Sequence, residues 1–205
     1  MDRLRSPGGC PWDAEQTHAS LAPYLIEEAY EALQAIEDGD LAHLRDELGD
    51  VLLQVLFHAR LAEELPVGQR WSIDDVAAGL VAKLTRRHPH VFGDVEVAGA
   101  DEVNRNWEQI KATERGGTSP VASVPLALPA LTLAAKLQRK VGDQPVAGSA
   151  VVEAAQSFAD DPTAESAAEL LWRAVSAMRA SELDPEACLR QRARSFRDAA
   201  LTVES

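Results

Sequence analysis

Apolar positions recur every three or four residues along most of this 205-residue chain, the spacing of helices that bury one face. No stretch alternates apolar and polar residues convincingly enough to suggest a strand. The punctuation divides the pattern into elements. A first helical segment spans 13–38, with Ser20 as cap and Pro23 in the first turn of its main helix, and stops at Gly39. Asp40 caps a second helix to about Leu65, ended by Pro66 and Gly68. Ser72 and Asp75 form a capping-box pattern for a third helix over about 73–88. RHPHVFGD interrupts it, and a fourth helix over about 101–115 runs to Gly116–Gly117. GGTSPVASVP (116–125) reads as a linker. Weaker helical patterns follow at 126–141, 149–160 and 163–200, the last broken near Pro185. The fold class is all-α, an antiparallel helical bundle, because short connections oblige neighbouring helices to reverse direction.

A faint repeat links ELGDVLLQVLFHARLAEE (47–64) with ELLWRAVSAMRASEL (169–183). Glu169 matches Glu47, but Trp172 stands where the first copy has Asp50, and the preceding VVEAAQSF has no acidic cluster.

The polar positions of the first two helices are more informative. LIEEAYEALQAIEDGDLAHLRDELGD (25–50) carries nine Asp or Glu among 26 residues. Leu25, Ala29, Ala32, Leu33 and Ile36 form one apolar stripe, with Glu28 and Glu31 one turn apart at its edge and Glu27 just beyond. On the second helix, Leu48, Val51, Leu52, Leu53, Val55, Leu56 and Phe57 predict burial almost all round. One polar seam, Glu47–Asp50–Gln54–His58, interrupts it. Acids on helices are ordinarily a solvated face, as expected for Glu37, Asp38, Glu63 and Glu64. Carboxylates on a buried helix, facing more carboxylates on an antiparallel neighbour, are costly unless a cation lies between them. All-oxygen ligands point to Mg²⁺ or Mn²⁺. A di-iron bundle would need two Glu-x-x-His motifs, and Glu15–His18 has no twin.

Charge sharpens this reading. The net charge is −13, of which residues 1–120 supply −11, with 11 Lys/Arg against 22 Asp/Glu. Such a surface disfavours nucleic acid and anionic membranes as partners. Two distant cysteines, Cys10 and Cys188, predict neither a disulfide scaffold nor a zinc site and suit a reducing cytoplasm. Neither a signal peptide nor an apolar membrane span is evident. Of the 11 cations in residues 1–120, six lie between 83 and 115: Lys83, Arg86, Arg87, Arg105, Lys111 and Arg115. Lys83 and Arg87 share a helix face, as do Trp107 and Lys111. Cations neutralise phosphate and an indole offers a stacking surface for a base, so acids followed by cations and a tryptophan suit a metal–polyphosphate substrate.

CPWDAEQTHASLAPYLIEEAYE, ELGDVLLQVLFHA, KLTRRHPHVF and NWEQIK, in that order, strongly resemble the MazG family of all-α nucleoside triphosphate pyrophosphohydrolases. The resemblance is dense over about residues 8–117 and weaker through LPALTLAAKLQRK and the second copy of the repeat. It implies hydrolysis of a nucleoside or deoxynucleoside triphosphate to monophosphate and pyrophosphate with Mg²⁺, in homodimers or higher homo-oligomers. Carried over by position, Glu28, Glu31, Glu47 and Asp50 would bind metal. Lys83 and Arg87 would bind phosphates, and Trp107 with Lys111 would close on the nucleotide. Glu27 or Glu31 would orient the attacking water. The domain reading is a catalytic unit at 1–117, a linker at 118–125 and a degenerate second unit at 126–205. Two other readings stay open: a relative specialised for one nucleotide, of the dimeric dUTPase or phosphoribosyl-ATP pyrophosphohydrolase kind, and a non-catalytic nucleotide-sensing or interaction module.

Overall fold

The computed structural model describes residues 1–114 and 116–204, and those residues form helices and turns with no strand. Arg115, one of the six cations singled out above, lies outside the described residues. The chain divides into two compact units, Met1–Val103 and Asn104–Ser205, the division falling within one helix.

The first unit is built on a helical hairpin. After two short helices, α1 (Asp2–Arg5) and α2 (Pro11–Glu15), come α3 (His18–Asp38) and α4 (Leu41–Ala62). The cap of α3 is Thr17 and not Ser20. Thr17 and Ser20 form a reciprocal capping box, each side chain accepting from the other's backbone N–H. That pair outcompetes a later start and leaves Pro23 inside the helix, where it removes one ladder hydrogen bond. Gly39 ends α3 in the left-handed conformation (φ 71°), and Asp40 immediately caps α4 by accepting from Ala42 and His43 backbone N–H groups. Two residues between helices force an antiparallel pair.

Leu21, Ala32 and Ala35 are the buried residues of α3, with Leu25 and Glu28 half-buried. The packing line is therefore 21–25–28–32–35, a 3.5-residue repeat. Ala29 and Ile36, placed in the apolar stripe from sequence, are exposed. The partner line on α4 runs through Glu47, Asp50, Gln54, Phe57 and Leu61, with Leu21, Phe57 and Leu61 forming the apolar core against Met1. Burial of α4 all round does not hold in the isolated chain, where Leu48 and Leu52 keep 53% and 54% of their surface. The polar seam takes the inner face, and the leucines turn outward.

The N-terminal residues are tied to this hairpin by Arg5. Its guanidinium lies 5.6 Å from the Phe57 ring centroid and donates to both oxygens of Glu64, at 3.0 and 2.8 Å. It also donates to the backbone carbonyls of Asp13 and Gln16. Helix α5 (Ile73–Arg87) starts at the expected Ser72/Asp75 capping box and packs on α4. His88 and Pro89 then break it before the single-turn α6 (Pro89–Phe92).

Helix α7 (Ala100–Glu114) runs from the first unit into the second. The second unit continues with a 3₁₀ turn (Pro120–Ser123), α8 (Ala130–Lys140), α9 (Gly148–Asp160), α10 (Ala164–Ala180) and α11 (Pro185–Glu204). Here α9 and α10 form a hairpin, with α10 also packed on α8 and α11. Thr163 and Ser166 repeat the capping box of Thr17 and Ser20. Gln138, fully buried on α8, donates to the Trp172 carbonyl at 3.0 Å and accepts from Arg179 at 3.1 Å. Among the described residues no helix is long and apolar enough to cross a membrane.

Candidate metal centre

The hairpin register decides which acids meet. His18 on α3 reaches His58 on α4, their Nδ1 atoms 2.7 Å apart, and Leu21 meets Phe57 in the core. Moving two to three turns along both antiparallel helices brings Glu28 opposite Glu47 and Asp50. One carboxylate oxygen from each of these three lies within 4.8 Å of the others. Glu47 is 9% exposed, Glu28 half-buried and Asp50 exposed, so the group is rooted in the helix interface and open on one side.

The electrostatics of this group are unfavourable as it stands. Burial first, then the carboxylates of Asp50, Glu31, Glu47 and Glu27, hold the Glu28 carboxyl above the ordinary glutamate range. Glu47 Oε1 is 2.7 Å from His43 Nε2, one turn back on α4. Its other oxygen, Oε2, is buried with no hydrogen-bond partner among the described residues. An unpartnered buried carboxylate oxygen on a residue grouped with two more carboxylates marks a site short of positive charge. Hard oxygen donors at this spacing fit a divalent cation such as Mg²⁺.

Other predicted residues fall as follows. Glu27 and Glu31 are exposed on α3; Glu31 acts on Glu28 through its charge but does not join the three-oxygen group. Lys83 is exposed and Arg87 half-buried on the last two turns of α5. Trp107 and Lys111 are together on α7, Lys111 Nζ lying 4.7 Å from the Trp107 ring centroid and 2.7 Å from Glu108. These two belong to the second unit.

Sequence reasoning missed His43. Its signal was available: a histidine four residues before Glu47 on the same helix can orient that carboxylate. Farther along the seam, Gln54 Oε1 and His58 Nε2 are also buried without partners among the described residues. In the second unit, Glu169, the counterpart of Glu47, is bound by Arg173 at 2.6 Å.

Comparison with known proteins bears on this geometry. A family model for the MazG nucleotide pyrophosphohydrolase domain matches residues 16–92, the stretch that holds α3, α4 and α5. The chain is 41% identical to the nucleoside triphosphate pyrophosphohydrolase/pyrophosphatase MazG of Thermotoga maritima, over 96% of this chain and 79% of that protein. It is 48% identical to the nucleoside triphosphate pyrophosphohydrolase of Escherichia coli K12, over 68% of this chain and 54% of that protein. A third relative, the uncharacterized protein YabN of Bacillus subtilis, is 53% identical over 66% of this chain but only 28% of its own length. The chain thus spans most of one relative, about half of the second and about a quarter of the third. With a hairpin that gathers three acids inside the matched segment, and identity to the Thermotoga protein running nearly end to end, the chain belongs to the MazG nucleotide pyrophosphohydrolase family.

Proposed function

We propose that this protein hydrolyses nucleoside and deoxynucleoside 5′-triphosphates to the monophosphate and pyrophosphate, using Mg²⁺ with Mn²⁺ as a substitute, in nucleotide-pool house-cleaning. The observation that carries this is the Glu28–Glu47–Asp50 group, whose buried Glu47 Oε2 lacks a partner among the described residues. Glu28, Glu47 and Asp50 would hold the cation, with Glu31 completing the set one turn along α3. A divalent ion there supplies charge that offsets the phosphates and acidifies the attacking water.

The chain's own groups divide the remaining work. His43 fixes one oxygen of Glu47, leaving the other without a partner among the described residues and available to a cation. Glu27 or Glu31, both exposed, accepts the proton of the water as it attacks phosphorus. Lys83, Arg87 and Lys111 offset charge that builds on the departing pyrophosphate, and Trp107 stacks on the base. On this reading residues 1–117 carry the activity. Residues 126–205, reached through 118–125, form a degenerate unit whose one matching acid, Glu169, is already neutralised by Arg173.

The protein acts as a homodimer or higher homo-oligomer in the cytoplasm. Leu48 and Leu52 on α4, with Ile26 and Ile36 on α3, are more than half exposed in the single chain, and a second copy would cover that apolar surface. The assay is pyrophosphate release from a panel of ribo- and deoxyribonucleoside triphosphates with Mg²⁺. Broad turnover by the wild type, abolished in Glu47→Gln at retained helicity, is expected. Turnover of a single nucleotide would favour a specialised relative, and none at all would overturn the hydrolytic reading.

A further inference from the structure

The second unit gathers cations in a chain that is acidic overall. On α8, Lys136, Arg139 and Lys140 stand at i, i+3 and i+4, and so share one face. A helix C-terminus attracts positive charge, which accounts for Arg139 and Lys140 in the last turn. It does not account for Lys136, nor for what the three face. They line a cavity of about 560 Å³ together with Glu108 and Lys111 of α7, with the buried Val124 in its wall.

The charges around that cavity do not balance. Among the described residues Glu108 is its single carboxylate, 2.7 Å from Lys111 Nζ and 3.5 Å from Lys140 Nζ. The hydrogen bond from Lys111, then the charges of Lys111 and Lys140, hold Glu108 below the ordinary glutamate range against the effect of burial. Among the described residues Lys136 and Arg139 make no ion pair. Four cations against one carboxylate leave three positive charges around a single space, an arrangement that repels itself until an anion enters. One carboxylate or halide ion would leave most of that excess. A chain of phosphates carries several charges, offers oxygen acceptors in every direction, and suits both lysine ammonium groups and the arginine fork. The volume falls within the roughly 300–1,000 Å³ of small-molecule sites.

We propose that this cavity in the second unit binds an oligophosphate, either as an inorganic anion or as the phosphate chain of a nucleotide, through Lys136, Arg139 and Lys140. These residues share none with the carboxylate group of the first unit, and binding needs neither a divalent ion nor turnover. The second unit therefore has a ligand of its own although its metal-binding pattern is broken.

Calorimetric titration of the full chain at low salt in EDTA tests this, with orthophosphate, pyrophosphate, tripolyphosphate and ATP as titrants and adenosine as control. EDTA removes metal-dependent binding at the acidic group, so failure here is separable from failure of the hydrolytic reading. Saturable binding is expected, tightening from orthophosphate to tripolyphosphate and absent for adenosine. The exposed pair Lys136→Gln/Arg139→Gln should weaken it about tenfold or more at unchanged helicity, and Glu47→Gln should leave it intact. ATP binding tighter than tripolyphosphate identifies a nucleotide ligand; equal or weaker binding identifies the phosphate chain alone. Absence of saturable binding, or equal affinity in the double variant, would overturn the proposal.

Discussion

Replacing Glu28 by Gln should make the metal-free protein more stable and the metal-loaded protein less so. The oxygens of Glu28, Glu47 and Asp50 lie within 4.8 Å of one another. At that separation two unit charges repel by about 1 kcal/mol in bulk water and about 3.5 kcal/mol at an effective dielectric of 20. Asp50 is exposed and belongs near the lower figure, whereas Glu47 is buried and belongs higher. Burial first, then this repulsion, raises the pKa of Glu28 above the ordinary glutamate range. Gln keeps the shape and removes one charge, so a gain of about 1–2 kcal/mol is expected in EDTA at neutral pH. For chains of this size each kcal/mol moves the melting temperature by about 2–4 °C. Saturating Mg²⁺ should reverse the order, because a ligand at a hundred times its Kd adds about 2.7 kcal/mol to a fold that binds it. The assay is thermal melting of both proteins in EDTA and across a Mg²⁺ titration. A variant that melts below wild type in EDTA, or gains as much as wild type from Mg²⁺, would refute the repulsive-cluster argument.

Three other outcomes are expected. Glu169→Gln should leave pyrophosphate release near wild type in the assay that Glu47→Gln abolishes, since Glu169 is occupied by Arg173; equal damage from both, in folded proteins, would give the second unit a catalytic acid. Leu48→Glu/Leu52→Glu should shift the protein to a smaller species by light scattering, and an unchanged mass would place the subunit contact elsewhere. Glu64 is held below its ordinary value of 4.5, first by its hydrogen bond from Arg5 and then by the charges of Arg5 and Arg60. A depressed folded-state pKa contributes stability that is complete above the unfolded value and lost as pH falls through the folded one. Glu64→Gln should accordingly flatten the decline in denaturant-measured stability below about pH 4.5. The difference should be about 1 kcal/mol or less, because the side chain is 42% exposed and screened by solvent.

Much of the fold could be read before any coordinates. Gly39, Asp40, Ser72 and Asp75 have few other uses in those positions, and each ends or starts a helix as expected. The face on which α3 packs could not be read the same way. An apolar count selects Ala29 and Ile36 and sets Glu28 at the edge, because a charge is normally assigned to solvent. In the structure Glu28 lies in the packing line itself, between Leu25 and Ala32. The same bias hides the orientation of α4: an apolar count turns the leucines inward and makes the seam an interruption, whereas Glu47 and Gln54 of the seam are buried and Leu48 and Leu52 are exposed. Arg5 left no sequence signal at all, since its role rests on a ring and a carboxylate more than fifty residues away.

The two hairpins show why an inner polar layer can have opposite meanings. Each contains a reciprocal Thr–Ser capping box, at the start of α3 in the first and of α10 in the second, and both units bury polar side chains between helices. In the second unit, Gln138 of α8 has a donor and an acceptor, and Ser176 of α10 accepts from the Val146 N–H. A layer so satisfied fixes the packing and needs nothing from outside. In the first, Glu47 Oε2, Gln54 Oε1 and His58 Nε2 are buried without partners among the described residues, and all three sit on the seam of α4. Each such group costs free energy that a tighter helix pair would have removed by substitution with leucine or alanine. Three such atoms along one line, beside carboxylates that repel one another, support the ligand site proposed for this hairpin over a purely structural layer.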